Sequence, residues 1–300
     1  MHPFYCRVFS MTTTGIHIDK RPELEQPLLI AGFGGWGNAL DVAKGMIGYL
    51  VRKLAAVPFA RLDPDQYLRY DEQRPHVNVE GGEIKHLSSP EGRVFFVRQK
   101  TGRDLVLFKS EEPSIRWSQF VADFFDMAEQ LNVSRLITLG SMYDKVLHTE
   151  RTLSALASHP DLLREMEGLD IHPIEYQGPT AIHAVLQMEA QRRALPAISI
   201  WAHCPYYLEG TTHFALLSRL GTALGVMGGF QLDVDELEIS WRAIRKHIEV
   251  QLRENPNLQA MMTDIHKSRG PIPERQRPPR KSGDGESGNV INLQDFLDPE

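Results

Sequence analysis

A buried strand, a tight turn and a helix can be recognised between Gln26 and Leu54. The apolar run Leu28 to Ala31 is typical of a buried strand, and the glycines after it indicate a tight turn. The segment that follows places apolar residues three and four positions apart, at Ala39, Ala43, Met46, Ile47, Leu50 and Leu54. This spacing puts them on one face of a helix. The three elements in this order predict the opening unit of an open α/β sheet.

The turn raises the question of a nucleotide site. It matches G-x-G-x-x-G, with glycines at Gly32, Gly34 and Gly37. A dinucleotide site needs an acid about 20 positions later to hold the ribose hydroxyls, whereas the acid that closes the next strand, Asp63, lies 26 residues after Gly37. Two large apolar residues, Phe33 and Trp36, also occupy the turn. We therefore predict a structural turn that presents aromatic residues to a partner, with a nucleotide site as the alternative.

Composition and charge exclude several classes of function. The chain has 300 residues, 42% of them hydrophobic, which is enough for a full core in one large domain or two small ones. A formal net charge of -6 provides no basic excess for contacting nucleic-acid phosphates. The apolar runs are far shorter than the roughly 20 residues of a membrane span. Cys6 and Cys204 form neither a disulfide framework nor a metal-ligand spacing. We expect a cytoplasmic protein without nucleic acid, membrane, metal or cofactor.

Strands alternate with helices from Leu28 to Trp201. Strands are predicted at 57–62, 105–108, 136–139, 171–174 and 196–201, and helices from Ser114 and over 180–193. Short segments between Pro75 and Arg98 predict a small antiparallel insertion. The alternation predicts a three-layer α/β/α sandwich with a mostly parallel central sheet. We place this core domain at residues 25–232, behind a flexible lead at 1–24.

The chain changes character after the core. Two amphipathic segments predict a C-terminal helical hairpin over residues 233–267. The composition then becomes polar and rich in proline and glycine, which predicts a disordered tail over 268–300. Apolar residues return near its end, at Val290, Ile291, Leu293, Phe296 and Leu297. An apolar end on a flexible tether predicts a docking peptide, and the alternative is that this end packs back on its own domain.

Polar and aromatic residues that could carry chemistry follow the predicted strands. They are Glu112, Tyr143, His148, Tyr176, His203 and Tyr206. An acid–base pair of His148 with Glu112, or a metal held by His148 and His203, is compatible with these residue types. None of them lies in a recognised catalytic or metal-binding motif, and Cys204 has no context that marks a nucleophile. We therefore assign no catalytic or metal residue and favour hydrogen-bonded loop or interface roles.

Six stretches share their order and spacing with a known family. They are Leu29 to Asn38, Arg74-Pro75, Glu112 to Trp117, Leu139-Gly140 with His148-Thr149, Tyr176 to Pro179, and Trp201 to Tyr207. Together they resemble the proteasome assembly chaperone family, in its second-type, single-domain form from bacteria and archaea. The resemblance implies an α/β/α sandwich similar to the phosphorylase/hydrolase-like fold, homo-oligomers, and a binding role without established catalysis.

Two departures from the family pattern restrict what the resemblance implies. Family members that engage proteasomes tend to end in a hydrophobic residue, a tyrosine and any residue, whereas this chain ends in Asp298-Pro299-Glu300. The family block Pro-His-Thr-Arg-Pro is replaced here by Leu147 to Arg151. These differences argue against docking into a proteasome ring through the chain end and against a shared role for the loop at His148.

Two functional hypotheses follow. The favoured one is a non-catalytic, chaperone-like homo-oligomer, with a trimer as the first expectation, that binds a protein partner, a proteasome-related protein being one candidate. The alternative is an enzyme or binding protein that acts on a nucleoside-like or other small ligand at the carboxyl ends of the strands. The predicted binding residues are Phe33, Gly34, Gly35, Trp36, Gly37, Asn38, Glu112, Trp117, Tyr143, His148, Tyr176, His203 and Tyr206.

Overall fold

The computed structural model describes residues 15–100 and 102–268. The strands are β1 (Ile16–Ile18), β2 (Leu28–Phe33), β3 (Val57–Leu62), β4 (His76–Glu80), β5 (Glu83–Ser88), β6 (Gly92–Val97), β7 (Leu105–Ser110), β8 (Arg135–Asp144), β9 (Leu153–Ala157), β10 (His172–Pro173) and β11 (Ala197–Pro205). The helices are α1 (Val42–Lys53), α2 (Pro64–Tyr67), α3 (Trp117–Gln130), α4 (Pro160–Glu167), α5 (Ile182–Arg192), α6 (Phe214–Gly228), α7 (Asp235–Glu254) and α8 (Pro256–Ser268). Short 3₁₀ turns at Ala39–Asp41 and Tyr206–Leu208 precede α1 and α6.

Within the described residues, nine strands form one sheet in the order β1-β3-β6-β7-β2-β8-β11-β9-β10. Its central strands, β7, β2, β8 and β11, run parallel to one another. Antiparallel pairing extends the sheet on one side through β6, β3 and β1, and on the other side β9 pairs antiparallel with β11. The hairpin β4–β5 forms a separate small sheet. This topology brings the carboxyl ends of β2, β8 and β11 to one edge.

Alternate residues of the central strands enter two cores, one on each side of the sheet. In β2, Leu28 and Ile30 belong to the core with α1, α6 and α7, whereas Leu29, Ala31 and Phe33 belong to the core with α3 and α5. Every residue of β2 is buried, as expected of a strand that is covered by helices on both faces. The predicted three-layer α/β/α sandwich with a parallel sheet at its centre is therefore confirmed.

The helices after the last strand complete the layer over the first core. In α7, Leu237, Trp241 and Ile248 are buried against it. The following helix, α8, adds Leu258 and Ile265 to the same core. Residues from 269 onward, including the five apolar residues of the predicted docking peptide, lie outside the described residues.

Three features of the fold differ from the expectations. The lead at 1–24 contains an edge strand, because Ile16–Ile18 pairs with β3 and buries Ile16. In the region of the expected antiparallel insertion, β6 joins the main sheet between β3 and β7, so the insertion is reduced to the β4–β5 hairpin. Finally, β9 has no counterpart among the predicted strands, because its five residues become a strand only through pairing with the distant β11.

Candidate functional site

An apolar cleft of about 800 Å³ lies at the carboxyl edge of the sheet. Its lining residues are Gly35, Trp36, Asn38, Ala39, Met142, Tyr143, Leu156, Ile174, Tyr176, Gly178, Pro179, Thr180, Ala181, Ala184 and Trp201. A larger space of about 1200 Å³, between β3 and the β4–β5 hairpin, is lined by charged groups such as Arg61, Asp63 and Arg93. Binding sites are mostly apolar with a few placed polar groups and favour the carboxyl ends of parallel strands. The 800 Å³ cleft, hereafter the cleft, fits this description better.

Three aromatic side chains stand open to solvent around the cleft. Trp36 is 61% exposed, Tyr176 is 59% exposed and Tyr143 is 45% exposed. The Tyr176 hydroxyl donates a hydrogen bond of 2.7 Å to the Pro179 carbonyl oxygen, which holds its ring at the rim. Aromatic side chains of this kind combine a large apolar area with low conformational entropy, and they are frequent anchors of protein interfaces.

A half-buried carboxylate, that of Glu112, attaches the glycine turn to α5. Oε1 of Glu112 accepts a hydrogen bond of 2.7 Å from the backbone N–H of Ile182, the first residue of that helix. Burial raises the pKa of Glu112, and backbone hydrogen bonds from Ile182 and Trp36 oppose the rise. The same carboxylate therefore holds Trp36 in place and occupies the positive end of the α5 dipole. Gly35, at φ +90°, supplies the backbone conformation that the turn needs.

The glycine turn does not have the geometry of a phosphate-binding loop. The Gly34 N–H donates to the Ser110 carbonyl oxygen at 2.8 Å, and the Glu111 carboxylate, which pairs with Lys44, fills the space beside Gly34. A 3₁₀ turn separates the glycines from α1, whose first turn is capped by Asn38: Oδ1 accepts from the Lys44 N–H at 3.1 Å. The Gly34 amide is thus engaged, and the carboxylates of Glu111 and Glu112 stand beside Gly34 and Gly35, where a phosphate would approach.

One wall of the cleft is the Trp201 indole, which lies over a glycine of the neighbouring strand. A Cβ on Gly140 would come within 2.6–2.8 Å of three atoms of this indole, so only glycine fits opposite Trp201. Below it, His183 is buried, and its ring centroid is 4.9 Å from that of Trp201. Nε2 of His183 donates to the Leu139 carbonyl oxygen at 2.7 Å. Burial lowers the pKa of His183 to about 4, so this ring is a neutral support for the wall.

Beside the cleft, three polar side chains from three strands form a hydrogen-bonded chain. Nδ1 of His203 in β11 lies 2.8 Å from Oδ2 of Asp144 at the end of β8. Nε2 of the same ring lies 2.8 Å from Oγ of Ser154 in β9. The Asp144 carboxylate also accepts from the Lys145 N–H through Oδ1 at 2.7 Å. Ser154 is 5% exposed, and the His203 side chain is 14% exposed.

The structure divides the predicted binding residues into three groups. Gly35, Trp36, Asn38, Tyr143 and Tyr176 line the cleft. Glu112 and His203 lie next to it, in the arrangements described above. The remaining ones are packing residues: Phe33, Gly34, Gly37, Trp117, His148 and Tyr206.

The packing residues correct part of the prediction. Phe33 lies in an aromatic cluster with Phe108 and Phe120 in the α3 core. Trp117 is the first residue of α3, and its indole N–H donates to the Pro113 carbonyl oxygen. Gly37 packs against Trp201 and His183. These residues shape the turn from within, because the turn folds back onto the sheet instead of extending into solvent.

His148 and Tyr206 lie on the opposite side of the sheet from the cleft. His148 is buried against Tyr207 and Trp241 of α7, and Tyr206 packs on Tyr207. Because Glu112 contacts α5 on the other side, the hypothesised pair of His148 with Glu112 is wrong, as is a metal shared by His148 and His203. In the parts of the chain that the structure describes, no group of three or more His, Cys, Asp or Glu residues could hold a metal ion.

Sequence reasoning missed Met142, Leu156, Ile174 and Ser154. Residues 153–157 are apolar except for Ser154, and an apolar run this short does not distinguish a strand from a helix. Trp201 belongs to the stretch from Trp201 to Tyr207 that carries the family resemblance, but it is not among the predicted binding residues. Among residues 15–100 and 102–268, no helix is long and apolar enough to cross a membrane.

Comparison with known proteins gives a consistent picture. The family model of the PAC2 family matches residues 29–252. A solved PAC2 family protein from Streptomyces avermitilis is 31% identical, with a TM-score of 0.68, and the match covers 80% of this chain and 99% of that chain. A proteasome-assembly chaperone homologue from Mycobacterium tuberculosis is 26% identical, with a TM-score of 0.68 and coverage of 78% and 99%. An archaeal proteasome activator from Pyrococcus furiosus shares the fold, with 16% identity and a TM-score of 0.62. The match covers 78% of this chain and 96% of that chain. No curated protein matches the chain.

Proposed function

Because the chain belongs to the PAC2 family, we propose that it is a chaperone-like protein that binds another protein as a homo-oligomer in the cytoplasm. A trimer is the first arrangement to test. The name of the Mycobacterium tuberculosis relative, a proteasome-assembly chaperone homologue, makes a proteasome-related protein the first candidate partner.

The observation that carries this proposal is the exposure of Trp36, Tyr143 and Tyr176 around one apolar cleft. Side chains this large and apolar are seldom left to water next to one another without a partner. Trp36 lies in the turn after β2, Tyr143 at the end of β8 and Tyr176 in the loop before α5, so three separate segments contribute to this surface. Aromatic side chains have few rotatable bonds, so they bind a partner with little loss of conformational entropy. We therefore place the protein contact at this cleft.

Co-purification tests the proposal directly. The tagged full-length protein, the double variant Trp36→Ala/Tyr176→Ala and a control, Tyr70→Ala, would be isolated from the cells of origin and their associated proteins quantified by mass spectrometry. Tyr70 is a partly exposed tyrosine that does not line the cleft, and its hydroxyl donates a hydrogen bond of 2.6 Å to Asp65. We expect partners that the double variant loses and the control retains. An identical set of partners in all three would contradict the cleft as the contact.

The C-terminal apolar residues give a second contact to test. Val290, Ile291, Leu293, Phe296 and Leu297 are proposed as a docking peptide. A chain truncated after Lys267 should keep its melting temperature and its oligomeric state while it loses a co-purifying protein. A large fall in melting temperature would instead show that this end packs on its own domain.

A small-molecule function is the second candidate, and the size of the cleft favours it. About 800 Å³ lies within the range of small-molecule sites, roughly 300–1000 Å³, and the aromatic rim could stack on a nucleoside-like base. Calorimetric titration with nucleosides and nucleotides tests this candidate. Micromolar binding that Trp36→Ala abolishes and Tyr70→Ala preserves would favour it over a protein partner.

A further inference from the structure

Three adjacent strands place a serine, a histidine and an aspartate on the same face as the cleft. In β8, β9 and β11, the polar residue lies two positions from a cleft residue: Asp144 from Met142, Ser154 from Leu156, and His203 from Trp201. Side chains two positions apart in a strand share a face and are roughly 7 Å apart. The polar group therefore lies directly next to the cleft wall, on its carboxyl-end side.

The sheet register brings the three side chains within reach of one another. Ser154 pairs with Trp201 in the β9–β11 ladder, and Asp144 pairs with Pro205 in the β8–β11 ladder. His203 lies two positions from each of those partners, so it is the diagonal neighbour of both Ser154 and Asp144. Diagonal neighbours in a sheet are close enough for long side chains to touch, and the two hydrogen bonds of 2.8 Å show that they do.

The hydrogen bonds also set the roles of the two ring nitrogens. A carboxylate only accepts, so Asp144 takes the hydrogen of Nδ1, and Nε2 is left to accept the hydrogen of the Ser154 hydroxyl. Asp144 is fixed in turn by the Lys145 N–H. A serine bonded to a histidine that a carboxylate orients is the arrangement that activates a serine for attack on a carbonyl carbon.

We propose that Ser154 is a nucleophile, with His203 as its base and Asp144 as a positioning residue, and that it accepts the acyl group of a carboxylic ester whose apolar part occupies the cleft. The proposal does not depend on the protein partner proposed above.

The reaction balances with these groups and one water. Ser154 Oγ forms a bond to the ester carbonyl carbon as its proton passes to His203 Nε2, and the carbonyl π electrons move to oxygen. The tetrahedral intermediate collapses, the bond to the alcohol oxygen breaks, and that oxygen takes the proton from His203. Water then attacks the acyl-serine by the same route, which releases the carboxylic acid and restores the Ser154 hydroxyl.

The position of Ser154 within the sheet narrows the substrate class. At this residue β9 is paired on both sides, with β11 and with β10, so its backbone amides face other strands. The developing oxyanion therefore receives little backbone stabilisation from β9. Esters with a good leaving group need the least stabilisation of the oxyanion. We therefore expect hydrolysis of activated esters with apolar acyl groups and no hydrolysis of amides.

Two readouts on the full-length protein test the proposal. A fluorophosphonate probe should label Ser154, as identified by peptide mass spectrometry, and p-nitrophenyl butyrate should be hydrolysed. Ser154→Ala should abolish both signals, and His203→Gln should slow labelling by about 100-fold or more, the usual range for loss of a general base. Ser158→Ala is the matched control: Ser158 follows the same strand, its Oγ accepts from the Ala197 N–H at 2.9 Å, and it should label as the wild type does.

Asp144→Asn separates a positioning role from a structural one. The asparagine amide can donate to Nδ1, which puts the ring hydrogen on Nε2 and leaves that nitrogen unable to accept the Ser154 proton, so labelling should fall. Asp144→Glu keeps an accepting carboxylate and should recover part of the labelling, whereas a merely structural role would make Asp144→Glu at least as damaging as Asp144→Asn. With folding verified by circular dichroism, absence of label on wild-type Ser154, or equal labelling of the wild type and His203→Gln, would overturn the proposal.

Discussion

The cleft and the core on the other side of the sheet use the same kinds of residue for different purposes. The cleft has Trp36, Tyr143 and Tyr176 at its rim, open to solvent. On the opposite side, His148, Tyr207, His213 and Trp241 form a cluster, hereafter the buried histidine cluster, in which each member is at most 4% exposed. Aromatic residues that a helix covers become part of a core, whereas those left uncovered form a surface that can bind a partner.

The helix that makes the difference is α7. Its Trp241 stacks on His213, with ring centroids 4.3 Å apart and planes 12° from parallel. His148 contacts both Trp241 and Tyr207, and the Tyr207 hydroxyl lies 3.0 Å from Nδ1 of His148. The cleft has no such helix over it within the described residues. The cleft and the buried histidine cluster contain similar residues, and only the packing of the later helices distinguishes them.

The largest expected difference between the two regions is in the effect of removing a tryptophan. Trp241→Ala should lower the free energy of unfolding by about 3–5 kcal/mol, because it leaves a cavity beneath α7. Urea denaturation at neutral pH measures this loss. A cost close to that of Trp36→Ala would show that α7 does not seal the buried histidine cluster.

The second expected effect is a loss of stability at low pH, caused by a histidine of the buried histidine cluster. Burial lowers the pKa of His213 to about 4, so the folded state favours the neutral ring. The unfolded chain, in which the pKa of this histidine is roughly 6.5, therefore takes up a proton more readily than the folded chain. The free energy of unfolding is unaffected above pH 6.5 and decreases as pH falls from there towards 4, by on the order of 2 kcal/mol at pH 5. The nearby charges of His148 and Arg151 act in the same direction as burial on the pKa of His213, whereas backbone hydrogen bonds at His213 and His148 oppose the fall. Burial also lowers the pKa of His148 itself.

Urea denaturation at several pH values from 7 to 5 tests this effect. His213→Gln should flatten the pH dependence of the free energy of unfolding, whereas His86→Gln, at an exposed position of the β4–β5 hairpin, serves as the control. His183 in the cleft wall provides a parallel case, since burial also lowers its pKa to about 4. An unchanged slope in His213→Gln would contradict a buried neutral ring.

A single methyl group added at Gly140, opposite the Trp201 wall of the cleft, should lower the stability of the protein. Gly140→Ala should destabilise the protein by about 1–3 kcal/mol, because the new Cβ collides with the Trp201 indole. It should also change the tryptophan fluorescence as the ring is displaced. Gly168→Ala, where the nearest atom would be 3.6 Å away, is the matched control and should melt as the wild type does. Equal melting of both variants would mean that Trp201 can move without cost.

The smallest effect is expected at the rim. Trp36→Ala should change the free energy of unfolding by less than about 0.5 kcal/mol, because the side chain is 61% exposed. Partner binding should nevertheless be lost. Chemical denaturation and co-purification on the same preparation measure the two quantities, and a large loss of stability would reclassify Trp36 as a packing residue.

The layers of this protein can be read from local patterns in its amino acids. Buried runs such as Leu28 to Ala31 and Leu105 to Phe108, and the helix face from Trp117 to Leu131, carry a periodicity that local physics enforces. The same reasoning located the strand ends where functional groups gather. It could also place Trp36, Tyr143 and Tyr176 in one neighbourhood, because each follows the predicted end of a strand.

Which of these groups face one another depends instead on contacts between distant parts of the folded chain. A histidine carries no local signal for the side of the sheet it will occupy: His148 is sealed under α7, whereas His203 lies between Ser154 and Asp144. That arrangement depends on β9 entering the sheet antiparallel beside β11, a pairing set by register and not by the composition of its five residues. Long-range pairing and the packing of later helices have no counterpart in a local pattern, so the cleft and its neighbouring polar group could be recognised only in the folded chain.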